Sequence, residues 1–112
     1  MIPYGKHLVD EDDIDAVVDV LRNQFLTQGK VVPQFEQALC NYTGAKYCVA
    51  VNSATSGLHV ACLAAGVGTG DLVWTVPNSF VASANCALYC GASIDFVDIN
   101  PTTRNIDVSA LE

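Results

Sequence analysis

The stretch from Val49 to Gly66 reads VAVNSATSGLHVACLAAG, and it joins two different sequence patterns. The run 46–52 (KYCVAVN) is rich in β-forming residues, which predicts a strand. From Thr55 to Gly66 the apolar residues follow a helical spacing, and the glycine ends the predicted helix. The first N–H groups of such a helix lack intrahelical partners and attract an anion such as a phosphate. Small residues and hydroxyls at 52–57 suit this role, although an ordinary Ser/Thr N-cap is the favoured explanation when the joint is considered alone.

The same order of strand and helix continues after the joint. The run 71–77 (DLVWTVP) predicts a second strand, 79–91 a helix capped by Asn78 or Ser79, and 93–99 (SIDFVDI) a third strand. Right-handed crossovers make these strands parallel and place both helices on one face. The intervening GVGTGD (66–71) resembles a dinucleotide-binding glycine pattern, but it closes a helix instead of opening one, so we interpret it as a C-cap and turn. The fold class is therefore α/β, with a βαβαβ parallel sheet.

Two helices are expected before the sheet. The first covers 10–23, where Asp10 is the expected N-cap, and the second covers 32–42 and stops at Gly44. Asp107 is expected to cap a further helix that begins at 108.

Composition excludes several classes of protein. The 112 residues carry 12 acidic and 5 basic side chains, a net charge of -7, which argues against a nucleic-acid partner. The five cysteines are odd in number and form no C-x-x-C pair, which favours buried reduced thiols over disulfides or a zinc site. We expect no metal. No signal-like or membrane-spanning apolar run is present, so a cytoplasmic location with no membrane partner is expected.

The second joint, VPNSFVASAN, follows the second predicted strand and carries Phe80. In a parallel sheet this joint lies at the same edge as the first one. A planar ring held by its phosphate at 54–57 would then lie against Phe80. The alternative is that Phe80 is a core aromatic.

Taken together, four segments resemble one known family: IPYGK, FLTQGKVVPQFEQAL, GAKYCVAVNSATSGLHVACLAAGVGTGD and TVPNSFVASANCALYCGASIDFVDINPTTRNID. They are similar, in order and spacing, to the N-terminal part of the DegT/DnrJ/EryC1/StrS family of pyridoxal-phosphate sugar aminotransferases. LTQGK, NSATS and PNSFVASAN resemble most the members that act in pseudaminic acid biosynthesis. The resemblance implies a fold type I transferase (aspartate aminotransferase-like) and pyridoxal 5'-phosphate as cofactor. The implied substrate is a UDP-linked 4-keto-6-deoxy N-acetyl-hexosamine, with glutamate as amino donor and a homodimer at full length.

The resemblance also assigns roles to particular residues. It implies that Ala54, Thr55 and Ser56 hold the cofactor phosphate and that Phe80 stacks on the pyridine ring. The residues implied to contact the nucleotide sugar are Tyr4, Gln24, Phe25, Leu26, Thr27 and Ala54. Residues 1–44 would form a helical segment with the substrate loop, and 45–112 the start of the cofactor-binding α/β domain.

No catalytic residue is assigned within these 112 residues. The family's cofactor-binding lysine is expected beyond residue 112, since Lys6, Lys30 and Lys46 do not lie in the matching context. The chain alone is therefore expected to be an inactive N-terminal portion of a longer enzyme. Two alternatives stay open: a dehydratase of the same family, in which histidine replaces the lysine, and a non-enzymatic phosphate-binding α/β module. His59 is interpreted as structural.

Overall fold

The computed structural model describes residues 2–3 and 5–111. Their elements are α1 (Glu11–Asn23), α2 (Val31–Thr43), α3 (Ala54–Ala64), β1 (Leu72–Thr75), α4 (Ala82–Tyr89), β2 (Ser93–Phe96) and a short 3-10 helix (Val108–Ala110). The chain divides between Ala50 and Val51 into two units, one containing α1 and α2 and the other containing the sheet.

Both helices of the first unit lie close to where the sequence predicts them. Asp10 caps α1 by accepting the N–H of Asp13, and the Asp13 carboxylate accepts the N–H of Asp10 in return. This reciprocal pair satisfies two donors at the helix start, and the acidic first turn suits the positive end of the helix dipole. α2 ends at Gly44, which adopts a left-handed conformation (φ 76°) and donates its N–H to the carbonyl of Cys40.

The strand predicted at 46–52 is wrong, because no residue of the described part forms a ladder with this run. A β-strand depends on a hydrogen-bonded neighbour as well as on its own residues. The Ala50 N–H instead donates to the Glu36 side chain on α2 at 2.8 Å. The run still alternates, since Cys48 and Ala50 are half-buried while Tyr47 and Val49 are exposed.

The second unit confirms the parallel α/β arrangement for the other two strands. β1 and β2 pair in parallel, from Leu72 opposite Ser93 to Thr75 opposite Phe96. The crossover helix α4 contacts both strands and also contacts α3. The core is built from small residues, which let the helix lie close to the sheet: Ala82, Ala84, Cys86, Ala87, Ala92 and Val97.

The start of α4 differs from the prediction. Neither Asn78 nor Ser79 caps it, because residues 77–80 form a turn and the helix begins only at Ala82. The Ser79 hydroxyl instead bonds the Ser83 hydroxyl at 2.9 Å, and the Ser83 N–H donates to the carbonyl of Phe80. Phe80 therefore precedes the helix and does not lie within it.

Other turns agree with the sequence analysis. Gly66 and Gly70 have positive φ angles (80° and 98°) between α3 and β1, as a helix end followed by a tight turn requires. The Asp107 carboxylate accepts the Ser109 N–H and caps the 3-10 helix, which is a shorter and tighter element than the helix expected there.

The five cysteines are free, but only Cys86 is buried, so the expectation that all are buried is wrong. Burial, together with the adjacent Cys86 thiol and then Cys90, raises the pKa of the Cys62 thiol. Cys62 of α3 therefore lies near the thiols of Cys86 in α4 and of Cys90, the residue that follows α4.

Candidate functional site

The N-terminus of α3 is organised by three polar side chains. Ser53 is extended (φ -161°), and its hydroxyl oxygen accepts the Ser56 N–H at 3.2 Å. The Ser56 hydroxyl donates to the Asn52 side-chain oxygen at 2.7 Å. The sequence NSATS thus caps its own helix and fixes the direction of the first turn.

The cap leaves two backbone donors of α3 free. Within the described part of the chain, the N–H groups of Ala54 and Thr55 make no hydrogen bond, and neither does the Thr55 hydroxyl. The Ser56 N–H is already occupied by Ser53. Two free N–H groups at the positive end of a helix, beside a hydroxyl, form a donor set that suits a phosphate.

Phe80 lies in the turn that follows β1, and its side chain is 74% exposed. The alternative of a core aromatic is therefore wrong for this chain. Phe80 lines a cavity of about 170 Å³ at the carboxyl ends of the two strands, together with Thr75, Pro77 and Phe96. Its open ring is accessible to a planar ligand, and the stacking role that the resemblance implies stays a prediction.

The predicted substrate loop lies in the first unit. Gln24 and Phe25 line a cavity of about 360 Å³, and Phe25 is 84% exposed. Leu26 and Thr27 are exposed but do not line this cavity. The predicted contact residue Tyr4 lies outside the described residues.

Three further residues line the same cavity: Asn23, Lys30 and Gln34. They were not predicted from the sequence, because the resemblance implies contacts only at the four consecutive positions 24–27. The spacing held a signal for two of them, since residues 30 and 34 lie one helical turn apart and share a face of a helix.

Asp19 of α1 bonds two of the residues that line this cavity. Its carboxylate accepts the side-chain N–H groups of Asn23 and Gln24, both at 2.8 Å. These two hydrogen bonds hold the pKa of the Asp19 carboxyl below its usual range.

Other groups of the described part give no sign of a second site. The His59 ring meets the Tyr89 ring edge-on, with centroids 5.4 Å apart, which is a packing contact between α3 and α4. The described residues contain no cluster of three or more side chains arranged to hold a metal ion. None of their helices combines the length and the apolarity that a membrane span needs.

Residues 7–112 match the model of the DegT/DnrJ/EryC1/StrS aminotransferase family. The chain belongs to this family. A transaminase of Campylobacter jejuni (strain 81-176), UDP-4-amino-4,6-dideoxy-N-acetyl-beta-L-altrosamine transaminase, is 46% identical over all 112 residues. The chain spans 29% of the length of that relative, so its match covers less than a third of the relative's sequence.

Solved structures agree with this assignment. The aminotransferase PseC of Helicobacter pylori, involved in the biosynthesis of pseudoaminic acid, is 39% identical, with a TM-score of 0.88 over 97% of this chain and 30% of its own. The putative sugar aminotransferase Spr1654 of Streptococcus pneumoniae is 33% identical, with a TM-score of 0.92 over 98% of this chain and 28% of its own. The fold is therefore the N-terminal part of a pyridoxal-phosphate-dependent sugar aminotransferase.

The family's cofactor is pyridoxal 5'-phosphate, and Spr1654 has been solved in both its PLP and its PMP forms. The residues of the second unit fit this group. The free N–H groups of Ala54 and Thr55 suit its phosphate, and the exposed ring of Phe80 suits its planar ring.

Proposed function

We propose that the protein containing this chain transfers an amino group to a UDP-linked 4-keto-6-deoxy N-acetyl-hexosamine, with glutamate as the donor. The name of the Campylobacter relative supports the sugar class. The observation in this chain that carries the proposal is the pair of unused N–H groups at Ala54 and Thr55, beside an unused hydroxyl. The unused N–H groups would suit a phosphate in the dehydratase and in the binding module as well, and the names of the relatives, a transaminase and an aminotransferase, are what favour transamination.

In this proposal the chain supplies positions and charge stabilisation. Ala54 and Thr55 anchor the cofactor phosphate, Ser56 lies beside them, and Phe80 orients the ring. Pyridoxal phosphate supplies the chemistry, since it holds an amino group covalently and stabilises the negative charge that develops at the neighbouring carbon. The loop Gln24–Thr27, together with Tyr4 and Ala54, is proposed to contact the nucleotide sugar.

Proton transfer requires a group that these residues do not supply. The lysines of the chain, Lys6, Lys30 and Lys46, lie away from the N-terminus of α3 in sequence. We infer that a lysine outside residues 1–112 performs this step and that the chain alone is inactive. Residues 1–44 then carry the substrate loop and 45–112 begin the cofactor domain of a cytoplasmic homodimer.

The test is transamination by the purified protein with a UDP-linked 4-keto sugar and glutamate, followed as release of 2-oxoglutarate. Thr55→Val removes the hydroxyl and keeps the shape, so we expect cofactor affinity to fall roughly three- to tenfold, the effect of about one hydrogen bond. Thr102→Val makes the same chemical change in an exposed turn and should leave cofactor affinity unchanged.

Two results would overturn the proposal. A protein that binds no pyridoxal phosphate under saturating conditions contradicts the cofactor assignment. Equal cofactor affinities of the wild type and the Thr55→Val variant contradict the phosphate site.

A further inference from the structure

Two helices of the second unit meet along faces that carry cysteines. His59 and Cys62 lie one turn apart on α3, while Cys86, Tyr89 and Cys90 lie one turn apart at the end of α4. Residues three or four positions apart share a face of a helix. The His59 and Tyr89 rings meet with their centroids 5.4 Å apart, so these two faces are in contact. Cys62 therefore lies against the part of α4 that carries Cys86 and Cys90.

Of these two cysteines, Cys86 is the nearer partner of Cys62. Burial raises the pKa of the Cys62 thiol, and both neighbours raise it further: Cys86 acts as a hydrogen-bonding partner and through its charge, Cys90 through its charge alone. A hydrogen bond needs close approach, whereas charges act over longer distances. The Cys86 thiol also donates to the carbonyl oxygen of Ser83 at 3.4 Å, which holds its side chain in place.

The two thiols of this pair differ in their access to solvent. Both are free, but Cys62 is half-buried, whereas Cys86 is 5% exposed and belongs to the core of the unit. A dissolved oxidant therefore reaches Cys62 before it reaches Cys86. Once Cys62 is oxidised, a reduced thiol that is shielded from solvent lies beside it.

We propose that Cys62 and Cys86 are an oxidation-sensitive thiol pair, in which hydrogen peroxide oxidises Cys62 and Cys86 then closes a disulfide between α3 and α4. In the first step the Cys62 thiolate attacks one peroxide oxygen and the O–O bond breaks. The products are a sulfenic acid and a hydroxide, which takes up the thiol proton as water. In the second step the Cys86 sulfur attacks the sulfenic sulfur, and the S–O bond breaks with release of a second water. Two thiols and one peroxide thus give one disulfide and two waters.

The chemistry of Cys62 sets the pace of this reaction. Its raised pKa keeps the thiolate fraction small, so the first step is slower than at the low-pKa cysteines of redox sensors. The site needs only the packing of α3 against α4, and it is therefore independent of the proposed transaminase function.

The test is incubation of the purified protein with hydrogen peroxide, followed by digestion with chymotrypsin and mass spectrometry without reductant. Cleavage after Trp74 separates Cys62 from Cys86, and cleavage after Tyr89 separates Cys86 from Cys90. We expect two peptides joined through Cys62 and Cys86, lighter by two hydrogen atoms than the reduced peptides together. Dithiothreitol should separate them again.

Variants assign the two roles within the pair. Cys86→Ala should lose the link, and its Cys62 should accumulate sulfinic acid, because no thiol remains to capture the sulfenic acid. Cys48→Ala is the matched control: it removes another half-buried thiol, outside α3 and α4, and should keep the link. If Cys86→Ala folds poorly by circular dichroism, Cys62→Ala serves instead, and it should lose the link and leave Cys86 unmodified.

Several results would overturn the thiol pair. These are an unmodified Cys62, a sulfinic acid at Cys62 of the wild type without any link, a link to Cys90 in place of Cys86, and a link between two copies of the protein seen as a covalent dimer on a non-reducing gel. Failure of the wild type to bind pyridoxal phosphate, with the link between Cys62 and Cys86 intact, would instead overturn the proposed function.

Discussion

Replacing Glu36 by alanine should release the segment that leads to the proposed cofactor site. Glu36 Oε1 accepts the Ala50 N–H at 2.8 Å, across 14 positions of sequence, and this is how the half-buried Ala50 amide is satisfied. The helix that holds the free donors for phosphate begins four residues later, at Ala54. The Glu36→Ala variant therefore tests whether a side chain on α2 fixes a segment that the sequence presents as a strand.

The expected loss can be worked from this single contact. A hydrogen bond to a charged group contributes about 1.5–3 kcal/mol net, and the lower part of that range applies because both groups are partly solvated. We expect a loss of about 1–2 kcal/mol in the free energy of unfolding. Glu36→Gln keeps an oxygen acceptor at the same place and should recover roughly half of that loss.

Hydrogen exchange of the Ala50 amide, measured by NMR, is the direct assay. A loss of about 1–2 kcal/mol corresponds to roughly 5- to 30-fold faster exchange at Ala50, with the amides in the middle of α2 changing less. Unchanged exchange at Ala50 in Glu36→Ala would refute the reasoning. Equal effects of the alanine and glutamine variants would show that the charge matters and the acceptor does not.

Three further predictions concern other parts of the structure. Ser53→Ala removes the acceptor of the Ser56 N–H, so the free energy of unfolding should fall by about 1 kcal/mol in thermal melts, and an unchanged melting curve would contradict the cap. Gly29→Ala places a Cβ against the carbonyl oxygen of Phe25, so the loop must shift and UDP binding should weaken. In the control Gly68→Ala the nearest atom to the new Cβ is 3.9 Å away, so UDP binding should stay unchanged. The raised pKa lowers the thiolate fraction of Cys62 at pH 8, so iodoacetamide should modify it more slowly than N-acetylcysteine, as mass spectrometry can show.

The helices and their ends could be predicted because their signals are local. Asp10 caps α1, and Gly44 ends α2 in a left-handed conformation that glycine adopts without strain. Such signals need only the residues within one turn of the helix end. The same reasoning located the turn at Gly66 and Gly70.

The strand at 46–52 could not be predicted in the same way, because pairing is not a property of the run itself. Its residues have the composition of a strand, but the hydrogen bond of Ala50 goes to Glu36. The start of α4 was mislocated for a related reason. Asn78 and Ser79 are good capping residues by type, but the helix begins only at Ala82, so both precede its N-cap Val81.

The two candidate sites differ in how much of them the sequence could reveal. The cluster at 52–57 was visible because its residues are adjacent and their roles follow from helix geometry alone. The cavity beside Phe25 combines residues of two helices and the loop between them. Two of its side-chain amides are bonded to Asp19, a residue that is not among those lining the cavity. No sequence motif indicates Asp19, because its contacts with the amides of Asn23 and Gln24 appear only in the folded structure.

The joint at 52–57 caps its helix and still leaves donors for the phosphate site proposed there. A cap that accepted the N–H groups of Ala54 and Thr55 would close the helix end to any ligand. Ser53 accepts the third N–H instead, and Asn52 takes the Ser56 hydroxyl, so the helix start is held by bonds that leave its first two donors unused. The helix is thus stabilised without occupying the groups that an anion needs, and the two interpretations that the sequence left open are compatible.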